Sequence, residues 1–180
     1  MIKHYQQILG TPVLHFEQGN VLGTVKDVII HPDTGKLEAL WVKPKGALTG
    51  YAVLQTQDIV EWKKNIYAKG EESLAEAGEI IKIAEILSDG RQILGNRVRT
   101  ESGESLGRVK DVDFDTEHFY LRQLYTQKSL LGLWAHDNRI LSYDLIVEVL
   151  PGYILVKDRT EKTEKVKASL LKDKNVVLDV

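Results

Sequence analysis

Apolar and polar residues alternate along much of this chain in short runs, the pattern of strands that bury one face. Gly23 to Ile30 alternates in this way, and so does Lys36 to Val42. Gln18-Gly19-Asn20 and Ser102-Gly103-Glu104 are tight-turn signals between apolar runs, with glycine free to take positive φ. Gly23, near the start of its run, predicts a bulge or sharp bend. Pro32-Asp33-Thr34-Gly35 turns into the next strand, and Asp115-Thr116-Glu117-His118 does the same later without proline or glycine. Residues 71–87 break the rhythm and read as mainly helical, with acidic residues gathered at the start, where the helix dipole favours them. Arg159 to Lys172 alternates charge and reads as a solvated helix, and Asn175 to Val180 as a final strand.

The pattern occurs twice. The step from Glu17 to Glu101, held constant, also carries Gly19 to Gly103, Gly23 to Gly107, Asp27 to Asp111, Leu37 to Leu121 and Trp41 to Tyr125. Later, Asp58-Ile59 matches Asp144-Leu145. A period this long is that of a duplicated domain, not of a solenoid. The chain is therefore expected to be mainly β: two tandem small β-barrels, each followed by a helix-prone segment. The expected division is a first barrel over 1–70, a helical linker over 71–90, a second barrel over 91–158 and a helix/strand extension over 159–180.

Composition narrows the chemistry. An apolar fraction of 43% and a charged fraction of 28% over 180 residues are enough to bury a core without staples. There is no cysteine, which excludes disulfides, thiolate metal sites and cysteine catalysis, and suits a reducing cytoplasm. A formal charge of −2 supplies no general attraction for nucleic acid. No window approaches the roughly 18 apolar residues of a spanning helix, and the N-terminus has no signal-peptide pattern. A cytoplasmic protein, at most peripheral to a membrane, is expected.

The repeated G-x-x-L-G-x-V-K-D-V, here Gly19 to Val28 and Gly103 to Val112, followed by an alternating strand and an apolar segment holding Asp-Ile or Asp-Leu, resembles the PRC-barrel family. The resemblance spans roughly residues 6–69 and 91–157. It implies a small barrel used as an adaptor, with no catalytic residues and no cofactor to carry over.

Candidate sites are few. Gly19, Gly23, Asp27, Gly103, Gly107 and Asp111 recur as structural motif residues. Alternation is expected to put Lys26 and Asp27, and likewise Lys110 and Asp111, on opposite faces, with each aspartate bonding a nearby amide. The histidines, His4, His15, His31, His118 and His136, lack metal-ligand spacing. His31 with Asp33, or His118 with Asp115 and Glu117, offers at most a weak turn chelate. No nucleophile motif or phosphate loop is present, so no enzyme and no metal is expected.

Two differences between the copies point outward. Every arginine lies in the second half. Arg97 and Arg99 flank Val98 on one strand face, and Arg108 and Lys110 do so on the next strand, forming a candidate anion-binding face suited to bidentate contacts. The alternative is a solvated face neutralised by Glu101, Glu104 and Asp113. Leu130, Leu131, Leu133 and Trp134 form a candidate interface patch, or pack between the barrels. The favoured reading is a non-enzymatic adaptor for a protein partner, with a membrane surface and homo-oligomerisation left open. The other reading is an RNA- or ribosome-associated maturation factor that binds through the arginine face.

Overall fold

The computed structural model describes residues 1–128 and 138–158. The chain opens with a short strand, β1 (Ile2–His4), and one helical turn, α1 (Tyr5–Ile8). The first copy then runs β2 (Pro12–His15), β3 (Val21–Ile30), β4 (Leu37–Pro44), β5 (Ala52–Gln55), β6 (Ile59–Trp62) and β7 (Ile66–Ala68), with a 3-10 turn at Thr56–Asp58. After it come β8 (Leu74–Ala75) and α2 (Ile81–Asp89). The second copy repeats the order as β9 (Arg97–Thr100), β10 (Ser105–Asp115), β11 (Tyr120–Gln127), β12 (Asn138–Ser142), a 3-10 turn at Tyr143–Leu145, β13 (Ile146–Leu150) and β14 (Tyr153–Val156).

Each copy forms one curled sheet. The strand orders are β6-β7-β2-β3-β4-β5-β8 and β12-β11-β10-β9-β14-β13. Neighbours are antiparallel except β2 with β7 and β9 with β14, which are parallel. Both long hairpins carry register shifts at matching places, between Val25 and Asp27 and between Val109 and Asp111. A bulge turns consecutive side chains to the same side. Lys26 and Asp27 are consequently both exposed, contrary to the opposite faces expected from plain alternation.

The segment read as mainly helical is only partly so. Glu71–Ser73 and Ala77–Glu79 are 3-10 turns, Leu74 and Ala75 pair with Leu54 and Val53, and the α-helix starts at Ile81. Ile83 of α2 is buried against Ile29, Ala39 and Val53, on the outside of the first sheet.

The leading segment crosses between copies. Ile2, Lys3 and His4 pair with Asp115, Phe114 and Asp113 of β10, not with the first sheet. Arg91, ahead of β9, links the two copies: its guanidinium bonds both oxygens of Asp33 in the first at 2.6 and 3.0 Å and donates to the Val149 carbonyl in the second at 3.2 Å. The two hairpin turns meet reciprocally. Leu37 N–H donates to Phe119 C=O at 2.8 Å, and Leu121 N–H to Gly35 C=O at 2.9 Å. Phe119 occupies the place of Gly35 and keeps its left-handed conformation, φ 60° against 65°. This explains how the second turn manages without glycine: a non-glycine residue bears the conformation. A single buried apolar cluster runs through both copies, from Val25, Leu40 and Ile66 to Val112, Leu124 and Ile154.

Candidate anion-binding face

Strand β9 alternates strictly. Val98 and Thr100 are buried, while Arg97 and Arg99 point out. Strand β10 lies beside it with Arg108 directly opposite Arg97, and Tyr153 of β14 is the partner of Arg97 on the other side. Arg108 Nη1 donates to the Gly95 carbonyl at 3.1 Å, which anchors one side of its guanidinium group. The Arg99 guanidinium lies 5.8 Å from the centre of the Tyr153 ring, within cation–π range. Lys110, exposed at the bulge, extends the face along β10. The structure thus brings Arg97, Arg99 and Arg108 onto one surface, with Lys110 further along it.

Of the three carboxylates expected to neutralise this surface, Glu104 and Asp113 are engaged elsewhere, and Glu101, exposed just after β9, is in no ion pair among the described residues. Glu104 is held by Arg139 at 3.1 Å and Lys128 at 3.7 Å. Asp113 is buried, approached by His4 Nδ1 at 2.5 Å and receiving the Tyr125 hydroxyl at 2.7 Å. Burial first, then Asp113, pushes the Tyr125 phenol up to about 12. Among the described residues, Arg97, Arg99, Arg108 and Lys110 have no carboxylate within ion-pair distance. By register, the first copy places Pro12, Leu14 and Thr24 where the second has Arg97, Arg99 and Arg108.

The motif residues do local work. Asp27 Oδ1 accepts the Val28 N–H and Asp111 Oδ1 the Val112 N–H, each at 2.8 Å, so both aspartates tie down their bulges. Asp27 also receives the Tyr5 hydroxyl at 3.0 Å, and burial together with this carboxylate pushes that phenol up to about 12. Gly19 and Gly103 take positive φ in their turns. Gly23 and Gly107 lie where a Cβ would strike the backbone of Lys43 and Gln127 respectively.

Asp115, Glu117 and His118 do come together on the hairpin turn. The Glu117 N–H, the His118 ring and the N-terminal ammonium all face Asp115, and they hold its carboxyl down at about 2. His31 Nδ1 accepts the Asp33 N–H at 3.2 Å, while Asp33 itself serves Arg91. Leu130, Leu131, Leu133, Trp134 and His136 lie outside the described residues, as does everything from Arg159 onward.

Sequence reasoning did not foresee Tyr153 beneath Arg99, the His4–Asp113–Tyr125 cluster, or a concavity of about 310 Å³ beside Lys26, Asp27, Trp41 and Tyr51. The alignment of Trp41 with Tyr125 is the one available signal for part of this. It marks an aromatic held at the same outer position in both copies.

Two filled barrels, with a cluster of arginines on an outer sheet face of the second, define a tandem small-barrel protein. The PRC-barrel domain profile matches residues 2–74 and again 85–162. The chain belongs to the PRC-barrel family and carries two copies of its domain. No curated protein matches it.

Proposed function

We propose that the protein is a non-enzymatic adaptor that docks a protein partner on the outer surface of its second barrel. The observation that supports this most directly is the apposition of Arg97 and Arg108 across the β9–β10 ladder. Like charges placed directly opposite one another destabilise a sheet. The first copy folds with Pro12 and Thr24 at the corresponding pair, so the barrel does not require cations there. A cationic pair with no carboxylate in ion-pair distance among the described residues fits recognition of a partner better than it fits folding. The buried cluster fills the barrel interiors, which leaves the outside of the sheets for contact.

The test is affinity co-purification from lysate, with and without nuclease and with membranes separated. A nuclease-insensitive protein partner, lost when Arg97 and Arg99 are both changed to Glu, is the expected result. The same face also favours a second reading, an RNA- or ribosome-associated factor. Capture of RNA species that vanish with nuclease, with a steep fall in binding as salt rises, would put that reading in its place. Among the described residues no helix is long and apolar enough to cross a membrane.

A further inference from the structure

We infer that the arginine face recognises an extended acidic segment of a protein partner, with carboxylates at alternating positions; this rests on the adaptor reading above. Arg97 and Arg99 stand on one face of β9 two residues apart, hence about 6.6 Å along the strand. An extended peptide presents its own alternate side chains at the same interval. Carboxylates at positions i and i+2 therefore meet the two guanidinium groups in register, each able to form the paired N–H···O contacts that arginine favours. Arg108, opposite Arg97, places a second guanidinium at the first position.

The sheet determines how such a segment is held. β9 is flanked on one side by β10 and on the other by β14, so it has no free edge to which a strand could add. Recognition must come from side chains across the sheet face, and its strength must come from charge. Single-stranded RNA, which shares the negative charge, fits less well. Such binding draws on exposed aromatic faces on which bases stack. The aromatic ring that meets these arginines, Tyr153, is half-buried and lies against Arg99. The formal charge of −2 on the whole chain also repels a long polyanion more than a short acidic stretch.

The experiment is fluorescence anisotropy with the full chain at about 50 mM salt, where surface charge is weakly screened. Three labelled probes are compared: Glu-Thr-Glu-Thr-Glu-Thr, the isomer Glu-Glu-Thr-Thr-Glu-Thr, which has no two carboxylates at i and i+2, and a short oligouridylate. The alternating peptide is expected to bind best. Its affinity should fall about 10-fold or more when Arg97 and Arg99 are both changed to Ala, as expected when two charge-assisted pairs are lost. The exposed Arg122, on another strand, serves as the control, and Arg122→Ala should leave binding unchanged. Thermal melts of both variants show whether the fold is intact. Absence of saturable binding by the alternating peptide overturns the inference. So does equal binding of the two isomers, an equal loss with Arg122→Ala, or tighter binding of the oligouridylate. A lysate partner still retained by the double variant would remove this inference and the docking face assigned above, while leaving the protein an adaptor through another surface. A wild-type chain that captures no protein partner would remove the adaptor reading itself.

Discussion

Replacing Gly107 with alanine adds one methyl group at a point where the backbone conformation and the neighbouring strand both resist it. Gly107 has φ 94°, and a Cβ there would press on the Gln127 carbonyl and lie 2.7 Å from the Lys128 nitrogen. Both neighbours are main chain, so they cannot swing aside as a side chain would. Forcing an L-residue into the left-handed region costs about 1–2 kcal/mol. Overpacking that shifts backbone costs about 1–3 kcal/mol more. Two other glycines separate these contributions. Gly103 has φ 89°, and a methyl group added there would meet nothing within 4 Å, so Gly103→Ala carries the conformational cost alone. Gly23 lacks a positive φ, but its Cβ would lie 2.6 Å from the Lys43 carbonyl oxygen, so Gly23→Ala carries the steric cost alone.

The expected ranking is Gly107→Ala worst, at about 3 kcal/mol, then Gly23→Ala at about 2 and Gly103→Ala at about 1. At this chain length each kcal/mol moves Tm by roughly 2–4 °C, so Gly107→Ala should melt about 6–12 °C early. Urea titration followed by far-UV circular dichroism gives the free energies, provided the m-value is constant across the series. Because one apolar cluster runs through both barrels, a single cooperative transition is expected. A Gly107→Ala protein no less stable than Gly103→Ala would refute the reasoning. It would mean that β11 does not press on β10 at this point.

Tyr125→Phe removes the hydroxyl bonded to buried Asp113 and should cost about 1–3 kcal/mol in urea unfolding. Tyr5 and Tyr125 are both pushed up to about 12, so changing either to Phe should leave the tyrosinate absorbance change below about pH 10.5 intact. Loss of amplitude there would contradict the burial argument. The carboxyl of Asp115 is held down at about 2, so its ionised form favours folding above its ordinary range near about 4 and ceases to do so as pH falls through about 2. Asp115→Asn should therefore lower the urea midpoint at neutral pH, with the gap to wild type closing towards pH 2. Arg91→Ala should lower Tm through loss of the bonds to Asp33, Asp89 and the Val149 carbonyl. That deficit should narrow in high salt, which already weakens the ion pairs.

What the sequence disclosed was what local chemistry decides. Alternation over Gly23 to Ile30 and the turn at Gln18-Gly19-Asn20 depend on a few adjacent residues, and β3 and its turn lie where they point. The helix expected over 71–87 is shortened by non-local pairing: Leu74 and Ala75 bond to the edge of β5, which composition cannot reveal. Asp113 reads from the sequence as a surface counter-charge, yet it is buried. Its burial follows from β1 crossing to β10, a long-range event with no local signature. The arginine face is half legible. Alternation alone puts Arg97 and Arg99 together, but the apposition of Arg108 needs the register, and the diversion of Glu104 to Arg139 needs the fold.

The junction between the copies bears on why only one of them carries the cationic face. The reciprocal bonds of Leu37 to Phe119 and Leu121 to Gly35, with Phe119 adopting the backbone of a glycine, make the contact self-complementary. Such a contact, joining equivalent patches, is the kind found in two-fold dimers. Within one chain, the two sides are free to change separately, because a substitution in one copy is no longer repeated in the other. Part of the outer sheet face of the first copy, on β3, β4 and β5, is covered by α2, with Ile83 buried on Ile29, Ala39 and Val53. The β9–β10 face of the second copy has Arg97, Arg99 and Arg108 where the first has Pro12, Leu14 and Thr24. Those arginines lie outside the shared core, so their chemistry can vary without disturbing either barrel. The buried cluster then accounts for stability, and the exposed second face for what distinguishes this chain.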